Sequence, residues 1–146
     1  EKRMFAELKL KNGEILKLYG IIDKMEKLDG GKIRVVDYKT GKTFGEKNKD
    51  QKEDLERQTI FYKLLIDKYY DDNRVSEGVL DFVEKSKKTG EFERQKKVID
   101  AKDVAELEQE IQDFAEDIMS GAFLEKKYEK TKENEDFWDL WELLKD

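Results

Sequence analysis

A chain of 146 residues with a net charge of −6 has the size of one domain, and it needs no disulfide to bury a core. It contains no cysteine and no histidine. These absences exclude a thiolate or imidazole metal site, an iron–sulfur cluster held by this chain, and Ser-His or Cys-His catalysis from these residues.

Carboxylate, lysine, tyrosine and amide groups remain for chemistry. The acidic balance argues against holding DNA by bulk positive charge, although interspersed lysines leave room for a local basic surface. No apolar run reaches the ~18 residues of a membrane span, and no targeting segment is visible, so the expected setting is cytoplasmic and off the membrane. The chain opens with Glu1 rather than Met. Residues 1–146 are expected to form a single domain cut from a longer protein.

Residues 3–10 alternate loosely between polar and apolar. Asn12-Gly13 follows, a pair that tolerates positive φ and so marks a hairpin. Residues 15–28 read as one strand and Asp29-Gly30-Gly31 as the next turn. Residues 33–38 are β-branched and short, as in a buried strand. Three strands joined by two tight turns predict an antiparallel meander. Residues 40–51 are polar and lysine-rich and read as a mobile loop.

From about Lys52 the period changes: Leu55, Gln58, Tyr62, Leu65, Ile66 and Tyr69 recur at helical spacing, and Asn73 is the expected stop. Residues 75–83 read as a strand, 86–90 as a turn and 91–99 as a polar edge strand. Asp100 or Asp103 would cap a second helix with a stripe of Val104, Leu107, Ile111, Phe114 and Ile118, closed by Gly121. Residues 126–135 read as irregular. Residues 137–144 read as a helix in which Phe137, Trp138 and Trp141 supply packing or dock a partner. The order βββ-α-ββ-α-α belongs to an α+β or α/β domain.

The chemistry concentrates in two strands. Asp37 and Lys39 are two apart and therefore share a face. With a turn centred near Gly30, Asp23 and Asp37 are each seven residues from the centre, so pairing sets two carboxylates side by side with an ammonium next to them. Paired carboxylates repel unless a cation sits between them. Mg²⁺ suits such oxygen donors, and a water it activates can attack a phosphate, with Lys39 orienting that water or neutralising the oxyanion. The competing reading is a solvated ion pair at a strand end, and the coincidence with Asp23 leaves the two about even. The lysines at 39, 42, 47, 49 and 52 flank this point and suit a phosphate backbone; Glu46, Asp50, Glu53 and Asp54 make a plain solvated loop equally good. Thr40-Gly41-Lys42 is no P-loop, since no glycine precedes it at the required distance.

Gly20-Ile21-Ile22-Asp23, then Asp37-Tyr38-Lys39-Thr40-Gly41-Lys42, then Gln58 and Tyr62, in this order and spacing, resemble the RecB-type nucleases of the PD-(D/E)xK superfamily. That group includes the nuclease domains of RecB and AddB and others attached to bacterial helicases. The resemblance covers residues 14–66. It implies an α/β, restriction-endonuclease-like core, a mixed β-sheet flanked by helices. It implies divalent-metal-dependent, exonuclease-like hydrolysis of DNA phosphodiesters, by a module of a helicase–nuclease or a recombination and repair protein.

Asp23, Asp37 and the Tyr38 carbonyl would bind Mg²⁺ or Mn²⁺, and Lys39 would be the catalytic lysine. Gln58 and Tyr62, with Lys24 and Lys42, would touch DNA or support the site. Lys24 stands where the family usually has Arg, and Glu26 where a second Asp is common. The metal-binding histidine that many relatives carry upstream has no counterpart here. The alternative is a catalytically inactive module of the same fold that holds DNA or a helicase partner, and a further rival is a structural domain whose motif match is chance.

Overall fold

The computed structural model describes residues 1–125. The elements expected at residues 126–144 lie outside the described residues. The chain divides into two compact units, Glu1–Gln109 and Glu110–Asp146.

In the first unit, β1 (Lys2–Lys9) and β2 (Ile15–Ile22) form an antiparallel ribbon, joined by the expected Asn12-Gly13 turn. Strands β3 (Lys24–Lys27), β4 (Ile33–Lys39), β5 (Val75–Lys85) and β6 (Phe92–Val98) form a four-stranded sheet in that order. The β4–β5 pair is parallel and the outer pairs antiparallel, so the sheet is mixed. The parallel pair is joined through helix α1 (Lys49–Tyr70), which packs on β1, β2 and β5. Helix α2 (Ala101–Ser120) follows β6, and a last turn, α3, covers Ala122–Glu125.

The meander expected at residues 3–38 is therefore two sheets. The single strand read at residues 15–28 breaks at Asp23, where the chain bends and leaves one sheet for the other. The segment at 40–51 is not a free loop. Thr43 and Glu46 form a reciprocal capping box around one 3-10 turn, Phe44–Glu46. Asn48 then caps α1 through Gln51 N–H at 2.9 Å, so the helix begins at Lys49. It ends at Asp71, which takes the left-handed conformation (φ 52°), ahead of the expected stop at Asn73. Asp100 and Asp103 cap α2 reciprocally, and Gly121 closes it with φ 74°. Phe114 and Ile118, on the α2 stripe, are exposed.

Alternation along the ribbon turns Met4, Ala6, Leu8, Leu18 and Ile22 inward, and α1 answers with Leu64, Leu65 and Ile66. Full burial of each large aliphatic chain stabilises by about 1.5–3 kcal/mol. One face of the four-stranded sheet, with Val35, Leu80 and Phe82, joins this core. The other face carries alternating charges: Arg34 bridges Glu26 and Glu77, Lys24 adds to Glu26 at 2.8 Å, and Lys96 adds to Glu77.

Where α1 crosses the strands, glycine permits close approach. A Cβ on Gly78 would lie 2.5 Å from Thr59 Cβ, and one on Gly20 would lie 2.7 Å from Leu65 Cδ2.

Candidate active site

The site lies where β4 ends. The register pairs Lys24 with Val36, so the next pair outward is Asp23 with Asp37, as the turn arithmetic requires. The bend at Asp23 frees that residue from the ladder, and its Oδ2 accepts the Tyr38 N–H at 2.9 Å. One carboxylate thus clasps the peptide that follows the other.

Asp37 is buried on the α1 side of the sheet. Tyr62 donates its hydroxyl to Asp37 Oδ1 at 3.2 Å, and the Gln58 amide approaches the same oxygen at 3.5 Å. Gln58 also donates to the Tyr62 hydroxyl at 2.8 Å and accepts from Lys39 Nζ at 2.6 Å. Lys39 Nζ faces Asp37 Oδ2 at 2.6 Å, an ion pair rather than an aligned hydrogen bond. Asp37, Lys39, Gln58 and Tyr62 therefore form a closed ring of polar contacts between β4 and one turn of α1, where residues four apart share a face. Burial, with the Asp37 charge next in weight, pushes the Tyr62 phenol up to about 12, so it is a neutral donor at ordinary pH.

The ring leaves Asp37 Oδ2 buried with no hydrogen-bond partner. The Lys39 ammonium faces this oxygen, yet a buried carboxylate oxygen that accepts no hydrogen bond is still under-satisfied. The Asp23 carboxylate, bonded to the Tyr38 N–H, and the backbone carbonyl of Tyr38 are the other hard oxygen donors at this strand end. This donor set fits Mg²⁺ or Mn²⁺, which take carboxylate and carbonyl ligands and keep waters in their remaining positions. Among the described residues no group of three or more Asp, Glu, His or Cys gathers as a metal site.

The other residues singled out from the sequence lie apart from this ring. Lys24 points to the opposite face of the sheet and pairs with Glu26. Lys42 is exposed on the segment after β4. Lys49 pairs with Glu53 at 3.5 Å, and Lys52 lies 5.3 Å from the centre of the Phe44 ring.

Three glutamates escaped the sequence reading. Glu84 accepts the Gly41 N–H at 3.1 Å. Glu93 accepts the Gly45 N–H with both oxygens, at 3.0 and 3.1 Å. Glu46 accepts the Lys87 N–H at 3.0 Å. Together they fasten residues 41–46 to the β5–β6 hairpin. Only Glu46 had a local signal, the Thr43-x-x-Glu46 capping pattern. The other two act across more than forty residues.

No curated protein sequence matches this chain. The crystal structure of SSO0001 matches with a TM-score of 0.53 at 18% identity, over 81% of this chain and 48% of that one. The likeness is one of fold, and this chain spans about half the length of that structure. A family model, that of the PD-(D/E)XK nuclease superfamily, matches residues 1–132. With a mixed sheet flanked by helices and a match over most of its length, the chain belongs to the PD-(D/E)XK nuclease superfamily.

Proposed function

We propose that this chain is a metal-dependent deoxyribonuclease module of the RecB type, hydrolysing DNA phosphodiesters as part of a helicase–nuclease or a recombination and repair protein. The observation that carries the reading is the β3–β4 register, which continued by one residue sets Asp23 level with Asp37, with Asp23 bonded to the Tyr38 N–H and Lys39 facing Asp37 Oδ2.

In this reading Asp23, Asp37 and the Tyr38 carbonyl hold the cation. Mg²⁺ or Mn²⁺, when bound, neutralises the phosphate and makes water a usable nucleophile. Lys39 orients the attacking water and donates to the phosphate oxygen that gains charge. The P–O bond to the departing sugar breaks as the new P–O bond to water forms; the attacking water gives up a proton to solvent and the leaving oxygen takes one up from solvent. Gln58 and Tyr62 hold Lys39 and Asp37 in place. Lys42 and the neighbouring lysines supply contacts to the backbone of the substrate.

The RecB subtype and the helicase connection rest on the three motifs in register. No described helix is long and apolar enough to cross a membrane. The deciding experiment is cleavage of end-labelled single- and double-stranded DNA with Mg²⁺, Mn²⁺ or EDTA, by this chain and by Asp37→Ala and Lys39→Ala. Metal-dependent cutting that disappears in both folded variants is expected. Cutting at the wild-type rate in either variant refutes the mechanism.

One observation favours a second reading, a nucleic-acid-binding module without catalysis. Asp23 and Asp37 are joined by no third carboxylate or imidazole among the described residues. Mn²⁺ binding that is lost in Asp23→Ala and Asp37→Ala supports the first reading over the second.

A further inference from the structure

We propose that the outer face of the β1–β2 ribbon is a base-stacking platform that leads single-stranded DNA to Asp23 and Asp37. The direction of travel rests on the nuclease reading above; the platform itself rests on the ribbon.

The ribbon buries one face only. Phe5 and Tyr19 are register partners on the other face, with ring centroids 4.8 Å apart and planes tilted by 39°. Phe5 is 61% exposed and Tyr19 46% exposed. Ile21 extends the surface along β2 and is also exposed. The core gains nothing from these side chains, because the alternate residues Met4, Ala6 and Leu18 already cover α1. A cleft of about 360 Å³ opens beside Phe5, lined also by Ala6, Glu7 and Lys17.

Charge selects the occupant. Arg3 and Lys17, next to the rings on this face, outnumber the one acid there, Glu7, on a chain of net −6. Two exposed rings bracketed by cations match unstacked bases joined by phosphates. Aromatic side chains take any base by its π-face, and cations follow the backbone. Within a duplex the base faces are covered by their neighbours and only the terminal pair is open, so a surface with several stacking contacts favours single strands.

Position connects the platform to the chemistry. Tyr19 lies on β2 four residues before Asp23, the bend that follows the strand, roughly 13 Å along the chain at ~3.3 Å per residue. At ~3.4 Å per stacked base that span holds about four nucleotides. Asp37 lies on the α1 side and the rings on the other, so a strand stacked on Phe5 and Tyr19 must round the ribbon at the Asp23 bend, and the nucleotides beyond the rings supply that length.

The test is binding in EDTA, where no cleavage occurs. Fluorescence anisotropy compares a labelled single strand with its blunt duplex. The quenching of a 2-aminopurine placed in the single strand reports stacking directly. Wild type, Phe5→Leu, Tyr19→Leu and Tyr19→Phe are compared after circular dichroism confirms their folds. Each leucine variant is expected to weaken single-strand binding about tenfold and to lose the quenching, while Tyr19→Phe restores both.

The proposal is overturned if both leucine variants bind and quench like wild type, or if duplex and single strand bind equally. It is also overturned if sedimentation shows a dimer of this chain that the leucine variants dissolve, for then a second copy occupies the face. Its failure is distinguishable from that of the nuclease reading. Leucine variants that cut and bind normally remove the platform alone. A wild type that stacks single strands but never cuts removes the nuclease reading alone.

Discussion

Tyr62 and Asp37, twenty-five residues apart, meet through a 3.2 Å hydrogen bond in which the phenol donates to Oδ1. That contact fixes one oxygen of the carboxylate and leaves the other aimed away from α1. Gln58 supports the same arrangement by bridging Lys39 and Tyr62. Residues that orient a metal ligand typically contribute ten- to hundredfold in metal affinity or activity. Tyr62→Phe and Gln58→Ala are accordingly expected to lower cleavage by about that factor. Each should also raise the Mn²⁺ concentration needed for half-maximal rate, with DNA affinity in EDTA little changed. An unchanged Mn²⁺ requirement would mean that neither residue positions the ligands.

The same bond has a signature at high pH. Burial and the Asp37 charge raise the Tyr62 phenol from its usual value to about 12. The folded state therefore holds this proton more tightly than the unfolded chain does. The stability linked to it is fully present below about pH 10 and is lost as pH rises towards 12, in total roughly 2–3 kcal/mol. Tyr62→Phe has no such proton to lose. Urea unfolding between pH 9 and 12 should show wild type losing its advantage over the variant across that window, and parallel curves would contradict the assignment.

The strand register at the candidate site was legible in the sequence because its key step is arithmetic. Gly30-Gly31 sets a turn centre, and pairing outward from it brings residue 23 to residue 37 regardless of how the rest folds. The glycines at 30 and 31 do take positive φ, 69° and 75°. Helical spacing likewise put Gln58 and Tyr62 on one face. The break at Asp23 was not legible, since the apolar pattern runs through it and only the divergence of two sheets requires it. Asn48 was hidden as a cap because the lysines around it read as loop. Glu84 and Glu93 could not be found, because their partners are backbone amides of a segment far away in sequence. Lys24 pairs with Glu26, two residues along β3 and therefore on its own face, the one opposite Asp37.

The glutamate fastening of residues 41–46 gives a prediction on both mobility and pH. Hydrogen bonds from the Thr43 amide, then the Thr43 hydroxyl and the Lys87 amide, hold the Glu46 carboxyl below the usual carboxylate range. A lowered folded value means that its contribution is present above the unfolded pKa and is lost as pH falls through the folded one. Glu46→Gln and Glu93→Gln should therefore speed amide exchange at Gly45 and Lys87 at neutral pH. Wild type should approach the Glu46→Gln rates on acidification. Since this segment links Lys39 to α1, cleavage should fall by several-fold without loss of fold. Exchange at these amides that ignores both substitutions would show that the glutamates hold nothing.

Buried Lys63 supplies an independent test of how α1 is anchored at its far end. Its ammonium reaches Asp67 Oδ2 and Asn73 Oδ1 at 2.5 Å and the Val75 carbonyl at 2.6 Å, while Asp67 Oδ1 accepts the amides of Arg74 and Val75. Lys63→Met keeps the length of the stem but strands three acceptors and leaves Asp67 without its ammonium, held by the two backbone amides alone. Removing one partner of a buried pair costs on the order of 3 kcal/mol. Urea unfolding should register a loss of that size, and a loss near zero would mean that water replaces the ammonium without penalty.

The close approach of α1 to the strands yields the sharpest comparison. An alanine at Gly78 would place its methyl 2.5 Å from Thr59 Cβ, a branch point fixed to the helix backbone. At Gly20 the obstacle is Leu65 Cδ2 at 2.7 Å, the far end of a side chain that can rotate. Overpacking of this kind costs about 1–3 kcal/mol where the neighbour cannot yield and less where it can. Gly78→Ala should therefore destabilise more than Gly20→Ala. Thr59 adjoins Gln58 on the helix, so the displacement at Gly78 carries Gln58 away from Lys39 and Asp37, and cleavage should fall along with stability. Thr59→Gly removes the obstructing atoms. In a double-mutant cycle it should restore part of the stability and activity lost in Gly78→Ala, a coupling expected for residues in direct contact. If Gly20→Ala proves the more damaging, or if Thr59→Gly gives no rescue, the contact between α1 and β5 does not set the position of Gln58.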